Sequence, residues 1–463
     1  MDSERLATRL GFLLVAAGCA VGVGNVWKFP YVAGQSGGGF FILFYLLMLL
    51  VFGLPVLAME FSVGRAAQRG PARAFQALEP AGTKWHLNGV AGVVACAVLM
   101  AFYTVVTGWM GHYFLASVRG DYMGLDAAAI GGLFSDYLRT PAHMGSWLVL
   151  VVGAGCLVCS RGVQKGLERA TKAMMVCLLA MMVLLAVHGL TMEGARSGLE
   201  FYLVPSLERL RATGPVRTAV AAMNQAFFTL SLGVGAMAIF GSYVGKDHSL
   251  VKESAIVISL DTFVAFVAGL IIFPACFTYG VDQAAGPGLI FITLPNVFAH
   301  MPGGRFWGSV FFLFMTFAAF STVLAVFELL IRSAMELFGW GRGKASAVCC
   351  AVLTAISVPC LLGFGTIHGA FLDFFGGTVL DFEDFLVSNL ALPLGSLVYL
   401  LFCVNRRGWG WENFAREATA GNGGKLPAWA APVARFVRPY CTWVLPFLLL
   451  AVFAVGIWDK FFA

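Results

Sequence analysis

Eleven long apolar runs leave this chain few ways to fold. They lie at residues 10–34, 38–64, 88–117, 145–160, 168–190, 216–244, 250–280, 305–338, 343–363, 378–404 and 434–458. A helix needs about 20 apolar residues to cross a bilayer. Inside lipid every backbone N–H and C=O must find a partner within the protein, which a helix supplies by itself. With 59% hydrophobic and 12% charged residues and a mean hydropathy of +0.84, a soluble globular protein is excluded. The expectation is an all-α polytopic membrane protein. Residues 1–9 are short, polar and without a small-residue cleavage site, so the first run reads as a retained span, not a signal peptide.

Loop charge sets the orientation. Arg65, Arg69, Arg73 and Lys84, then Arg161, Lys165, Arg169 and Lys172, then Lys246, Lys252, Arg342, Lys344, Arg406, Arg407, Arg416 and Lys425 fall in alternate connections. The intervening connections carry fewer, among them Arg119, Arg139, Arg196 and Arg305. The N-terminus is therefore expected in the cytoplasm and the C-terminus, after an odd number of spans, outside the inner (plasma) membrane. The net charge of +6 comes from these inner loops and implies the lipid bilayer, not nucleic acid, as partner. Residues 405–432 form the longest inner loop, and 191–215 and 282–304 the substantial outer ones.

Within the first run stands Gly18-Cys19-Ala20-Val21-Gly22-Val23-Gly24-Asn25. Each glycine weakens a helix by up to ~1 kcal/mol, so a continuous helix is poorly served here. Gly18 and Gly22 could instead form a small-residue packing face. A break would free backbone groups of both signs: half-helix N-termini attract an anion and unwound carbonyls a cation. The sixth run repeats the pattern, with Phe227-Phe228-Thr229-Leu230-Ser231-Leu232-Gly233-Val234-Gly235. Interrupted spans at matching positions of two five-helix halves point to a transport site between inverted repeats.

Polar residues sit where lipid should exclude them. Asp261 lies deep in the seventh run, with no Lys or Arg in the same run. A mid-membrane carboxylate costs at least ~2.5 kcal/mol unless paired. A bound cation is the economical partner; a protonated Asp on a neighbouring helix is the alternative. Ser321 and Thr322 in the eighth run suit a hard cation, which prefers oxygen ligands, or else pack helices. Glu60 and Glu328 read as structural hydrogen-bonding groups, and Tyr103 as core packing or a hydroxyl aimed at a cavity. The eleven cysteines are scattered through apolar runs and read as reduced thiols, Cys156-x-x-Cys159 included.

Further along, Arg9-Leu10-Gly11, Gly22-x-Gly24-Asn25-x-Trp27-x-Phe29-Pro30-Tyr31 and Gly37-Gly38-Gly39-Phe40 stand together with Pro55-x-x-x-Met59-Glu60-Phe61-x-x-Gly64. Gly166-Leu167-Glu168-Arg169-Ala170, Gly286-Pro287-Gly288-Leu289-Ile290-Phe291 and Leu392-Pro393-Leu394-Gly395 follow. This set, spread over nearly the whole chain, resembles the neurotransmitter:sodium symporters. The resemblance implies the LeuT-type fold, a 5+5 inverted repeat of about 11 transmembrane helices with the first and sixth broken. Residues 1–190 would form the first repeat, 191–404 the second with its outer loops, and 405–463 an inner loop and the eleventh helix.

The resemblance also implies two sodium sites. The first would use the Ala20 carbonyl, Asn25, Thr229, Asp261 and the substrate carboxylate. The second would use the Gly18, Val21 and Ala318 carbonyls with the Ser321 and Thr322 hydroxyls. Gly22, Gly24 and Tyr103 would hold the carboxylate of an amino acid, and Ala20, Phe228, Thr229 and Ser231 its ammonium. Monoamine carriers of the family have Asp where this chain has Gly22, so the substrate is expected to bring its own carboxylate. The side-chain wall would be Val23, Leu99, Phe228, Val234, Ser321 and Val326 with Cys19 nearby, which suits a bulky neutral side chain, aliphatic or aromatic. Chloride-dependent relatives use a Tyr, Gln, Ser and Asn set. Tyr45, Gln225 and Thr229 match part of it, but Asp261 replaces the Asn, so chloride is not expected to be required.

For the gates, the resemblance implies an outer latch of Lys28 and Asp384 under which Tyr103 and Phe228 close. It implies an inner gate of Glu336 with Tyr243; the family's usual Arg position reads Ser3 and its usual Trp Leu6, so that Arg5 would have to substitute as the basic partner. Val176 stands where many bacterial relatives have a proline that helps the fifth helix unwind. The function expected is sodium-coupled amino-acid symport by alternating access. A non-transporting sensor or scaffold on the same fold is the alternative. No enzymatic nucleophile–base set is present, and the histidines show no ligand spacing.

Overall fold

The computed structural model describes residues 6, 8–281, 288–364 and 377–461, and among them every regular element is helical. Among the described residues, nine helices are long and apolar enough to cross a bilayer. They are Gly39–Ala67, His86–Arg119, Pro141–Ser160, Val163–Leu190, Leu250–Tyr279, Gly304–Phe338, Arg342–Leu362, Val379–Val404 and Ala431–Trp458. These are spans two to five and seven to eleven, each within a few residues of its expected place. Span five runs unbroken through Val176, whose side chain faces outward.

Spans one and six are the interrupted ones. Span one consists of Arg9–Ala20 and Gly24–Gln35, bent by 54°. Thr8 caps its first half by accepting the Gly11 N–H at 3.0 Å. The chain leaves the helix at Val21, whose ψ of 95° is extended. It re-enters through a π-turn at Gly24–Lys28. Span six is Pro215–Thr229 followed by Ala236–Gly241, with no helix between them.

That gap folds on left-handed residues: Ser231 at φ 50°, Gly233 at 93° and Gly235 at 82°. For Ser231 this backbone region is uncommon. Gly233 also touches span ten closely, since a Cβ there would lie 2.3 Å from the Leu392 carbonyl oxygen. Glu60 of span two holds the gap open. Its Oε1 accepts the Gly233 N–H at 2.9 Å and the Gly235 N–H at 3.0 Å. The structural role expected for Glu60 is thus a repair of backbone donors freed by the break.

Several connections expected as loops contain short helices. Ala127–Leu138, Ala195–Leu203, Leu207–Thr213 and Leu289–His300 lie between spans on the face opposite the N-terminus. Pro71–Leu78 and Trp411–Thr419 lie on the N-terminal face. Asp126 and Ser206 cap two of them by accepting the N–H three residues on, at 2.8 and 3.3 Å. Arg65 anchors Trp411–Thr419, fully buried, through a 2.7 Å ion pair with Glu417 and a bond to that residue's carbonyl. The two breaks meet in the middle of the bundle, bounded by spans three, seven, eight and ten.

Candidate functional site

Asp261 is fully buried, and its hydrogen-bond partners are all neutral. Asn25 donates to Oδ1 at 2.7 Å and to the Asp261 carbonyl at 3.1 Å. Thr229 lies 3.1 Å from both carboxylate oxygens, and Tyr45 donates to Oδ2 at 3.4 Å. Asn25 Oδ1 in turn accepts the Gly22 N–H at 3.1 Å. This cluster joins the break of span one, the end of the first half of span six and the middle of span seven. Neutral donors do not cancel a buried carboxylate's charge, so the cluster suits a cation.

A second oxygen cluster joins span one to span eight. Ser321 Oγ lies 3.0 Å from the Gly18 carbonyl, 2.9 Å from that of Ala318 and 3.5 Å from that of Val21. Thr322 Oγ1 lies 3.4 Å from the Gly18 carbonyl and 3.3 Å from that of Cys19. All five groups expected from the sequence converge here, with the Cys19 carbonyl added. Charge-free oxygens at these spacings suit a hard monovalent cation better than a soft one.

Between the clusters is a cavity of about 20 Å³, room for roughly one water. Gly22, Tyr103 and Thr322 mark its polar end. A Cβ on Gly22 would fall 2.5 Å from the Tyr103 hydroxyl and 2.6 Å from Thr322 Oγ1. Cys19, Ala20, Gly24, Thr229 and Ser231 line it further, and Leu99, Phe228, Val387 and Leu392 are its larger apolar residues.

Four expected wall residues are not among those that line this cavity. The Val23 N–H donates to the Tyr103 hydroxyl at 3.0 Å. The Val234 carbonyl faces Cys96 Sγ at 3.6 Å. Ser321 is committed to the second cluster, and Val326 is fully buried. The sequence reading missed Val387 and Leu392, which are apolar residues within an apolar run.

Above the cavity Lys28 Nζ lies 3.3 Å from Asp384 and 3.9 Å from the centre of the Phe228 ring. One ammonium thus pairs with the carboxylate and covers the aromatic lid. Beyond it a vestibule of about 770 Å³ opens, bordered by Gln35, Arg217, Asn224, Asp384 and Asn389. Gln225 donates to the Gly24 carbonyl at 2.8 Å, and its own Oε1 has no hydrogen-bond partner.

The N-terminal face is pinned differently from expectation. Tyr243 donates to Glu328 at 2.9 Å, not to Glu336, because Arg342 holds Glu328 beside it with two bonds of 2.8 and 3.0 Å. Glu336 pairs with Arg332 at 2.8 Å and accepts the Gly70 N–H at 3.0 Å. Arg9–Glu253 at 2.9 Å ties the start of span one to span seven, and Lys172, which donates to the Thr8 hydroxyl at 3.0 Å, ties it to span five. Arg5 lies outside the described residues, as do Gly286 and Pro287.

Comparison with known proteins follows the same lines. The model of the sodium:neurotransmitter symporter family matches residues 3–123 and 134–453. An uncharacterized sodium-dependent transporter of Bacillus subtilis is 36% identical over 396 residues, covering 86% of each chain. The sodium- and chloride-dependent taurine transporter of Rattus norvegicus is 27% identical over 403 residues, 75% of this chain and 64% of that one. Among solved structures, MhsT in complex with L-phenylalanine superposes with a TM-score of 0.86 at 34% identity, over 98% of this chain and 99% of that one.

Proposed function

The chain belongs to the sodium:neurotransmitter symporter family, with the LeuT-type fold, and we propose that it imports a bulky neutral amino acid by sodium-coupled symport with alternating access. The observation that carries this reading is the close approach at Gly22. With no side chain, Gly22 brings its backbone against the Tyr103 and Thr322 hydroxyls at the cavity's polar end, beside a buried carboxylate that has no cationic partner among the described residues. A substrate carboxylate fits that end and a sodium ion fits between that carboxylate and Asp261. Each ligand then completes the other's coordination, which couples their binding. A second sodium at Ser321 and Thr322 would fix span one to span eight. The complex of MhsT with L-phenylalanine supports a bulky side chain. The loop charges support a cytoplasmic N-terminus, so the vestibule faces outside.

Asp261 also supports chloride-independent transport. It stands within hydrogen-bond reach of Tyr45 and Thr229, where its fixed charge replaces that of a mobile anion.

Uptake into proteoliposomes under an inward sodium gradient tests the reading. Leucine, phenylalanine or tryptophan should accumulate, and Asp261→Ala and Ser321→Ala should each abolish accumulation. Equal uptake with choline in place of sodium would overturn it.

A further inference from the structure

Span ten brings two residues to the central cavity that nothing in the sequence tied to it. Val387 and Leu392 are 1% and 2% exposed and line it together with Leu99 and Phe228. On a regular α-helix, residues five apart point about 140° away from each other. Here they belong to one π-turn, Leu386–Ala391, in which the Leu392 N–H donates to the Val387 carbonyl. The wider turn swings both side chains toward the same side of the helix. Pro393 follows directly and has no N–H to give the Asn389 carbonyl, which favours leaving the α-helical ladder at this point. Insertions of this kind occur frequently at functional sites.

The placement decides where a substrate side chain can go. The polar end is fixed by Gly22, with Tyr103 and Thr322 of spans three and eight. Val234 and Val326 are not among the residues that line the cavity. The Leu392 backbone lies against Gly233, within the break of span six. We infer that Val387 and Leu392 determine the size of the transported side chain, which extends between the break of span six and the π-turn of span ten. This inference rests on the amino-acid symport reading above. Val387 also lies three residues, about one helical turn, past Asp384, so a side chain pressing on it acts close to the Lys28 latch.

An apolar pocket separates side chains differing by a methylene by about 10–200-fold. The test is sodium-dependent binding of L-tryptophan, L-phenylalanine, L-leucine and L-alanine to the full-length protein in nanodiscs. Leu392→Ala should raise the affinity ratio of tryptophan to leucine about ten-fold. Leu392→Phe should lower it by a similar factor and favour alanine. The pair Val387→Ala and Val387→Phe repeats the test at the other residue, and a fold defect cannot produce shifts of opposite sign. An unmoved ranking in all four variants, with binding retained, overturns this inference and leaves symport standing. A wild-type protein that binds none of the four amino acids in sodium overturns both.

Discussion

On the amino-acid reading proposed above, a single atom missing from Gly22 decides the substrate class. Its missing Cβ would sit 2.5 Å from the Tyr103 hydroxyl, inside the space assigned to a carboxylate. Overpacking a closed site costs roughly 1–3 kcal/mol, so Gly22→Ala should weaken amino-acid binding about 10- to 100-fold, measured by sodium-dependent equilibrium binding. On the same reading, Asp261 decides the anion. Replacing it by Asn keeps the hydrogen-bonding shape but removes the fixed charge. Asp261→Asn should transport slowly in gluconate and be stimulated by chloride, whereas wild-type uptake should be the same in either salt. Parallel anion-substitution assays check both halves of that expectation.

Among the elements, the interrupted helices were legible in the sequence and the π-turn of span ten was not. Gly22, Gly24, Gly233 and Gly235 stand out because glycine is a poor helix former in a stretch that lipid requires to be helical. Asp261, Ser321 and Thr322 stand out because their oxygens are costly in hydrocarbon. Val387 and Leu392 carry no such mark: apolar residues in an apolar run look alike whether they face lipid, a neighbour or a cavity. The pairing of Tyr243 with Glu328 was equally hidden, because it depends on Arg342 arriving from another span. Glu60 is the element-level test. Glu60→Leu would strand the Gly233 and Gly235 N–H groups, at about 1–3 kcal/mol for each buried donor. The melting temperature should fall clearly, and Glu60→Gln, which keeps an acceptor, should fall less.

As a whole the molecule is shut toward the N-terminal face by the Gly70–Glu336 hydrogen bond and the Arg342–Glu328 and Arg9–Glu253 pairs. On the other face it is open down to Lys28. Cys19 lies just below that point, on the cavity wall. In a variant keeping Cys19 as its sole cysteine, a membrane-impermeant thiol reagent applied from the vestibule side should label slowly. Lys28→Ala should speed labelling several-fold, and sodium with amino acid should slow it; mass spectrometry of labelling against time reads both. The latch itself is two point charges, each about one-third exposed, at 31% and 32%. Lysine cannot form the two-pronged grip of arginine. Dissolved ions shorten the reach of such an attraction, from about 30 Å at 0.01 M to about 8 Å at 0.15 M. Brine therefore both drives this machine and loosens its door, and a cell moved from fresh to saline water meets a gate that already swings more freely.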